Sequence, residues 1–176
     1  MSKSILVIIA LLSLPIVCDA KSNNAPTQGL TLLGSGKMKV MFWQIYHATF
    51  FATKSPYRDD IYPQALILKY LREIEGKELL NATQEQWQHL NVAKADQQLW
   101  LTKLSGIFPD VRKGDRISLL IDKQRHAKFY FSEQGGAWQL IGAIEEPRLG
   151  PAFLAIWLSK NTSRPKLRAK LLGESS

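Results

Sequence analysis

The stretch LLGSGKMKVMFWQIYHATFF, from Leu32 to Phe51, decides how this chain is read. Gly34-Ser35-Gly36 reads as a turn after a short strand, Leu30 to Leu33, and a long strand follows from Lys39 to Ala52. Along that strand apolar and aromatic side chains occupy both parities: Met41, Trp43, Ile45 and Phe51 on one, Val40, Phe42, Tyr46 and Phe50 on the other. Successive side chains of a strand point to opposite faces, so a strand wetted on one side alternates apolar with polar residues. This one does not, and the pattern predicts a strand covered on both faces. The residues just after the glycine turn are where a ligand would be held.

Upstream, Lys3 precedes the apolar run Ile5 to Leu14, Pro15 breaks it, and Cys18-Asp19-Ala20 places small residues at −3 and −1. This is the pattern of a secretory signal over residues 1–20, cleaved before Lys21. The apolar run is shorter than the ~20 residues a membrane span needs. Cys18 raises a lipoprotein reading, but Pro15-Ile16-Val17 lacks the small residue expected just before such a cysteine. Residues 21–28 read as a flexible start and 29–173 as a single domain, since about 150 residues is the usual size of one core. Cys18 is the chain's one cysteine, so the mature part can hold no disulfide, zinc-thiolate site or catalytic thiol. An exported chain without cysteine fits a bacterial periplasm.

Downstream, Lys54 to Pro63 is a loop bracketed by Pro56 and Pro63, and Gln64 to Arg72 is a second strand. The period then changes. Leu79, Leu80, Thr83, Trp87 and Leu90 recur at helical spacing within Glu75 to Leu90. Asn81 or Thr83 is a candidate cap inside that run, which leaves open two helices or one kinked one. Ala95 to Ile107 continues as a helix. Arg116 to Asp122, with Ile117, Leu119 and Ile121 inward, and Ala127 to Ser132, with Phe129 and Phe131, form a hairpin around Lys123 to Arg125. Gly135-Gly136 leads to a strand from Trp138 to Ala143, and Pro147 starts a helix rich in Phe153, Ile156, Trp157 and Leu158. Thr162 or Ser163 caps a last helix ending at Gly173. Strands and helices come in separate blocks, which predicts an α+β fold, a mostly antiparallel sheet with helices packed on one face.

The chain carries a net charge of +8, densest at Arg164, Lys166, Arg168 and Lys170, which read as a solvated helix face. No nucleic-acid module accompanies this charge. A weak, salt-sensitive contact with lipid headgroups suits it better. Gly34-Ser35-Gly36-Lys37 mimics half a phosphate loop, yet Thr31 and Met38 stand where that loop needs glycine and a hydroxyl. His47, His89 and His126 show no metal-ligand spacing. Asp59-Asp60 and Glu145-Glu146 are adjacent pairs of the solvated kind, and Ser118 and Ser132 lack a nucleophile elbow. No metal, cofactor or catalytic residue is assigned. What remains is Tyr46, Tyr70 and Arg72. Tyr70 and Arg72, two residues apart on a strand, share a face with Leu66 and Leu68. An inward Arg72 needs an anion, because an unpaired buried charge is very costly. The carboxylate of an apolar molecule would serve, held by guanidinium and phenol. The plainer reading pairs Arg72 with Glu73 and Glu75 on the surface.

The blocks LLGSGKMKVMFWQIYHATFFA, ALILKYLREIEGKEL, IFPDVRKGDRISLLID, KFYFSEQGGAWQLIGAIEEPRLGPAFLAIWLS and TSRPKLRAKLLG, in this order, resemble the chalcone isomerase-like family in its bacterial exported branch. The resemblance implies an open-faced β-sandwich. It also implies one of two chemistries. Plant isomerases of this fold close a flavanone ring with an arginine after the Gly-x-Gly turn and hydroxyls on the next strand. Related plant proteins bind fatty acids, with an arginine and a tyrosine on the carboxylate. Carried over, the arginine position falls on Met38, flanked by Lys37 and Lys39, and the strand hydroxyl falls on Tyr46 rather than threonine. A thioether offers an oxyanion no donor, and lysine does not reproduce a bidentate guanidinium. The expectation is therefore an exported protein without chalcone isomerase activity that binds a fatty acid or similar apolar carboxylate through Met38, Tyr46, Tyr70 and Arg72. Its rivals are a lyase or isomerase acting on an unknown enone, and an interaction module at a membrane surface that takes no ligand.

Overall fold

The computed structural model describes residues 25–174, so the expected signal over 1–20 lies outside the described residues. Six strands, β1 (Thr31–Val40), β2 (Trp43–Ala52), β3 (Gln64–Tyr70), β4 (Arg116–Ile121), β5 (Ala127–Ser132) and β6 (Gln139–Ile144), form one sheet in chain order. Each neighbouring pair is antiparallel. Helices α1 (Gly76–His89) and α2 (Lys94–Ser105) are inserted between β3 and β4, while α3 (Leu149–Leu158) and α4 (Pro165–Leu171) follow β6. The fold is the α+β arrangement that the block order predicts.

The core lies between the helices and one face of the sheet. Register aligns Phe50 with Leu66 and Leu66 with Leu119, and this row meets Trp87 of α1, Leu104 of α2, Phe153 of α3 and Leu171 of α4 in one buried cluster. The cluster is unusually aromatic: Phe153 lies 5.6 Å from Phe129 and 5.5 Å from Trp157 between ring centroids. Edge-on and tilted contacts of this kind suit the ring quadrupoles. The indole N–H of Trp87 donates to the Ala152 carbonyl at 2.9 Å, so α1 and α3 are joined by a satisfied polar contact inside the apolar layer.

Three readings of the sequence are corrected. First, β1 runs straight through Gly34 and Gly36, and the turn falls instead at Met41-Phe42, between the paired Val40 and Trp43. The glycines answer to packing. A Cβ at Gly36 would sit 2.7 Å from Leu167 Cδ1, and one at Gly34 would strike the Lys170 carbonyl oxygen. Bare backbone lets α4 lie directly on the strand. Second, β2 is covered on one face only. Phe51, Ile67, Leu120 and Tyr130 on the other face are half-buried and Leu140 is exposed. Third, β3 ends at Tyr70, and Leu71-Arg72 form a bend, so Arg72 does not share a strand face with Tyr70.

Smaller differences follow the same logic. Helix α1 is unbroken, and the Thr83 hydroxyl donates to the Leu79 carbonyl at 2.8 Å instead of capping. Residues 25–30, expected to be flexible in part, make two hydrogen-bonded turns, Gln28 N–H to Ala25 and Leu30 N–H to Thr27, both 3.0 Å, with Pro26 buried.

Candidate functional site

The end of the sheet where β1 and β3 finish and β2 begins opens into a cavity of about 510 Å³ beneath α1 and α3. Leu66 and Leu68 of β3, Ile117 and Leu119 of β4, Leu79 of α1, and Phe153 and Ile156 of α3 make its apolar walls. Met38, Tyr46, Tyr70 and Arg72 all border it. Register explains three of them: Met38 pairs with Tyr46 and Tyr46 with Tyr70, which sets a row across three strands on the helix-covered face.

The two tyrosine rings meet edge-on, 6.1 Å between centroids. The Trp157 indole N–H donates to the Tyr46 hydroxyl oxygen at 2.9 Å. Since Tyr46 accepts in that bond, its own O–H proton remains available to another acceptor. Among the described residues no hydrogen bond engages the Tyr70 hydroxyl. Burial pushes the Tyr46 phenol up to about 12, against the opposing Trp157 hydrogen bond and Arg164 charge. Burial raises Tyr70 as well, helped by the neighbouring Tyr46. Both groups are thus neutral donors at neutral pH. A phenol that holds its proton more tightly than usual is poorly suited to be a base.

Arg72 is neither buried inside nor paired with Glu73 or Glu75. It is exposed at the cavity rim, its guanidinium 5.6 Å from the Trp43 ring centroid, and among the described residues it forms no ion pair. Cation–π contact satisfies it without a carboxylate. A second guanidinium, Arg164, borders the cavity and acts on Tyr46. Sequence reasoning placed Arg164 on a solvated helix face with Arg168, and Arg168 differs too. It is half-buried, with its Nε–H donating to the Leu158 carbonyl at 2.9 Å. Nothing in the linear pattern separates these two arginines. Ser163, whose hydroxyl donates to Gln86 Oε1 at 2.6 Å, ties the segment before α4 to α1 at the same rim. Glu78 and Glu85 of α1 also border the cavity, so its polar part is not uniformly cationic.

Met38 separates this cavity from a second, more open cleft of about 730 Å³ between β1 and the start of α4. Its lining holds Lys37, Lys39, His47, Arg164, Lys166 and Lys170 and, among the described residues, no acidic one. The two share Met38, Ser163 and Arg164. The histidines are otherwise dispersed: His89 Nε2 lies 3.0 Å from the Asn161 carbonyl and His126 Nδ1 3.8 Å from Asp122. Among the described residues no three His, Cys, Asp or Glu side chains gather as metal ligands. The chemistry this arrangement offers is recognition: an apolar chamber, two phenol donors facing it and guanidinium groups at its rim.

A family profile described as chalcone isomerase-like matches residues 17–173. An uncharacterized protein of Haemophilus influenzae is 26% identical over 137 residues, covering 76% of this chain and 63% of that protein. This chain therefore spans less than two thirds of that relative's length. The crystal structure of an Arabidopsis thaliana fatty-acid binding protein superposes with a TM-score of 0.63 at 14% identity, over 84% of this chain and 88% of that one. At that identity the likeness speaks for the fold.

Proposed function

This chain belongs to the chalcone isomerase-like family, and from that premise we propose that it is an exported, non-catalytic binding protein for a fatty acid or similar apolar carboxylate. The observation that carries the reading is the cavity in which Tyr46, Tyr70, Arg72 and Arg164 border an otherwise largely apolar chamber. Its volume of about 510 Å³ is within the ~300–1,000 Å³ usual for small-molecule sites. In the proposed complex the acyl chain lies among Leu66, Leu68, Ile117 and Phe153. The carboxylate accepts from the two phenols and draws Arg72 from its stack on Trp43, forming charge-assisted bonds. A protein of the same fold from Arabidopsis binds fatty acids, which supports the same ligand class here. Met38 argues against flavanone ring closure, because the wall where a guanidinium would stabilise an oxyanion carries a thioether. The apolar run before Pro15 supports export, with the periplasm as the proposed compartment.

Native mass spectrometry of the protein purified from the cells that export it tests the reading, together with thermal shifts on adding fatty acids. A co-purifying mass of an aliphatic carboxylic acid and a raised unfolding midpoint are expected. A ligand-free mass with no shift from any chain length would sink it.

A further inference from the structure

The β1–β2 hairpin ends in four consecutive apolar residues that stand exposed. Val40 is 41% exposed, Met41 84%, Phe42 94% and Trp43 67%. Its two-residue loop is of the length that ordinarily takes asparagine or glycine. Met41 instead sits there at φ 51°, a region unbranched side chains seldom enter. Propensity, turn chemistry and solubility all argue against this tip, and such local violations cluster where a surface has work outside the fold.

The surroundings identify that work. Lys39 adjoins the tip, Arg72 stacks on Trp43, and the cleft lined by Lys37, Lys166 and Lys170 opens beside it. An apolar wedge with a tryptophan, backed by cations and no acid in the adjoining cleft, is complementary to an anionic bilayer. The wedge enters the acyl boundary, the indole sits at headgroup level, and the lysines meet lipid phosphates. A protein partner fits less well, because specific interfaces use about 20–30 residues a side and this tip has four. A bilayer accepts a wedge without demanding a matching shape.

We propose that the Val40–Trp43 tip and the basic cleft dock this protein on a membrane surface containing anionic phospholipid. Val40 and Arg72 belong both to this surface and to the cavity lining, so docking turns the cavity mouth toward the acyl layer. Docking stands by itself, while delivery of a ligand from the bilayer rests on the binding reading above.

Flotation of the full protein with phosphatidylcholine vesicles, with and without phosphatidylglycerol, tests the docking. Binding only to the anionic vesicles, weakened by salt, is expected. M41S/F42S should lower the partition coefficient roughly tenfold by removing inserted apolar surface. Lys39→Glu and Lys166→Glu should each lower it about fivefold or more. All three exposed-site variants should keep the wild-type unfolding midpoint and the wild-type affinity for a fluorescent fatty acid in vesicle-free buffer. Failure of wild type to float with anionic vesicles, or flotation of M41S/F42S equal to wild type, overturns the proposal. So does a photo-cross-linker at position 42 that captures a protein while vesicles are ignored. Flotation intact with no fatty acid bound in vesicle-free buffer upholds docking and overturns the cavity reading instead.

Discussion

Tyr46 and Tyr70 are both phenols on one row of the sheet, yet they invite different experiments. Removing the Tyr46 hydroxyl strands the Trp157 indole N–H, which costs about 1–3 kcal/mol of stability and confuses any affinity measurement. Removing that of Tyr70 leaves no partner behind. Tyr70→Phe is expected to weaken fatty-acid binding about tenfold, the worth of one hydrogen bond to a charged carboxylate, with an unchanged unfolding midpoint. Arg72→Leu is expected to weaken it about tenfold or more, as for a bond to a charged group. Displacement of a fluorescent fatty acid measures both, and wild-type affinity in the pair would remove these residues from the site. The same tyrosines, together with Tyr57 in the loop between β2 and β3, set the alkaline limit of the fold. Burial raises Tyr46, Tyr57 and Tyr70 above the ordinary value of about 10. Above that pH the unfolded chain has lost protons the folded chain still holds, so their contribution is full below about pH 10 and falls as pH rises, for Tyr46 through about 12. Tyrosinate absorbance from these three should appear together with loss of near-ultraviolet dichroism. Their ionisation in a still-folded protein would contradict the assignment. Residue types at this scale were legible in the sequence: Met38, Tyr46, Tyr70 and Arg72 all border the cavity. Arg164 was not, because its role depends on where the segment before α4 returns to the sheet.

Among the elements, β1 and α4 carry the main lesson. Gly34 and Gly36 look like a turn because glycine most often marks one, and nothing within the stretch announces a helix from the far end of the chain. Gly34→Ala places a methyl on the Lys170 carbonyl oxygen and should push α4 off the strand. The expected loss is about 1–3 kcal/mol, the usual range for overpacking. Gly106→Ala is the control, since a Cβ there meets nothing nearer than the Lys103 carbonyl at 3.9 Å. Urea unfolding of the two variants distinguishes the readings. Equal stability would mean that α4 yields freely and that the glycines have another cause. Helix α1 shows the opposite case: the capping signals at Asn81 and Thr83 left two helices or one kinked one open, and the 3.6-residue period prevails in a single unbroken helix.

For the whole molecule, a ligand that binds only the folded state raises stability by mass action, by about 2.7 kcal/mol at a hundredfold excess over Kd. A fatty acid should therefore raise the unfolding midpoint by roughly 5–10 °C in a chain of this size. Its methyl ester should raise it far less, because the ester cannot form charge-assisted bonds to the arginines. Equal shifts from acid and ester, read by scanning calorimetry, would show burial without recognition of the carboxylate. The order of six strands and four helices was determined by the sequence alone, because periodic burial of each element is written into its own residues. Membership of one cavity was decided only by the tertiary structure. Tyr46 and Trp157 are 111 positions apart and meet in a hydrogen bond that no local pattern encodes. The two-faced apolar pattern of Leu32 to Phe51 had the same limit. Hydrophobicity states what a side chain gains by leaving water, and only packing determines whether Phe50 is enclosed while Phe42 is left outside.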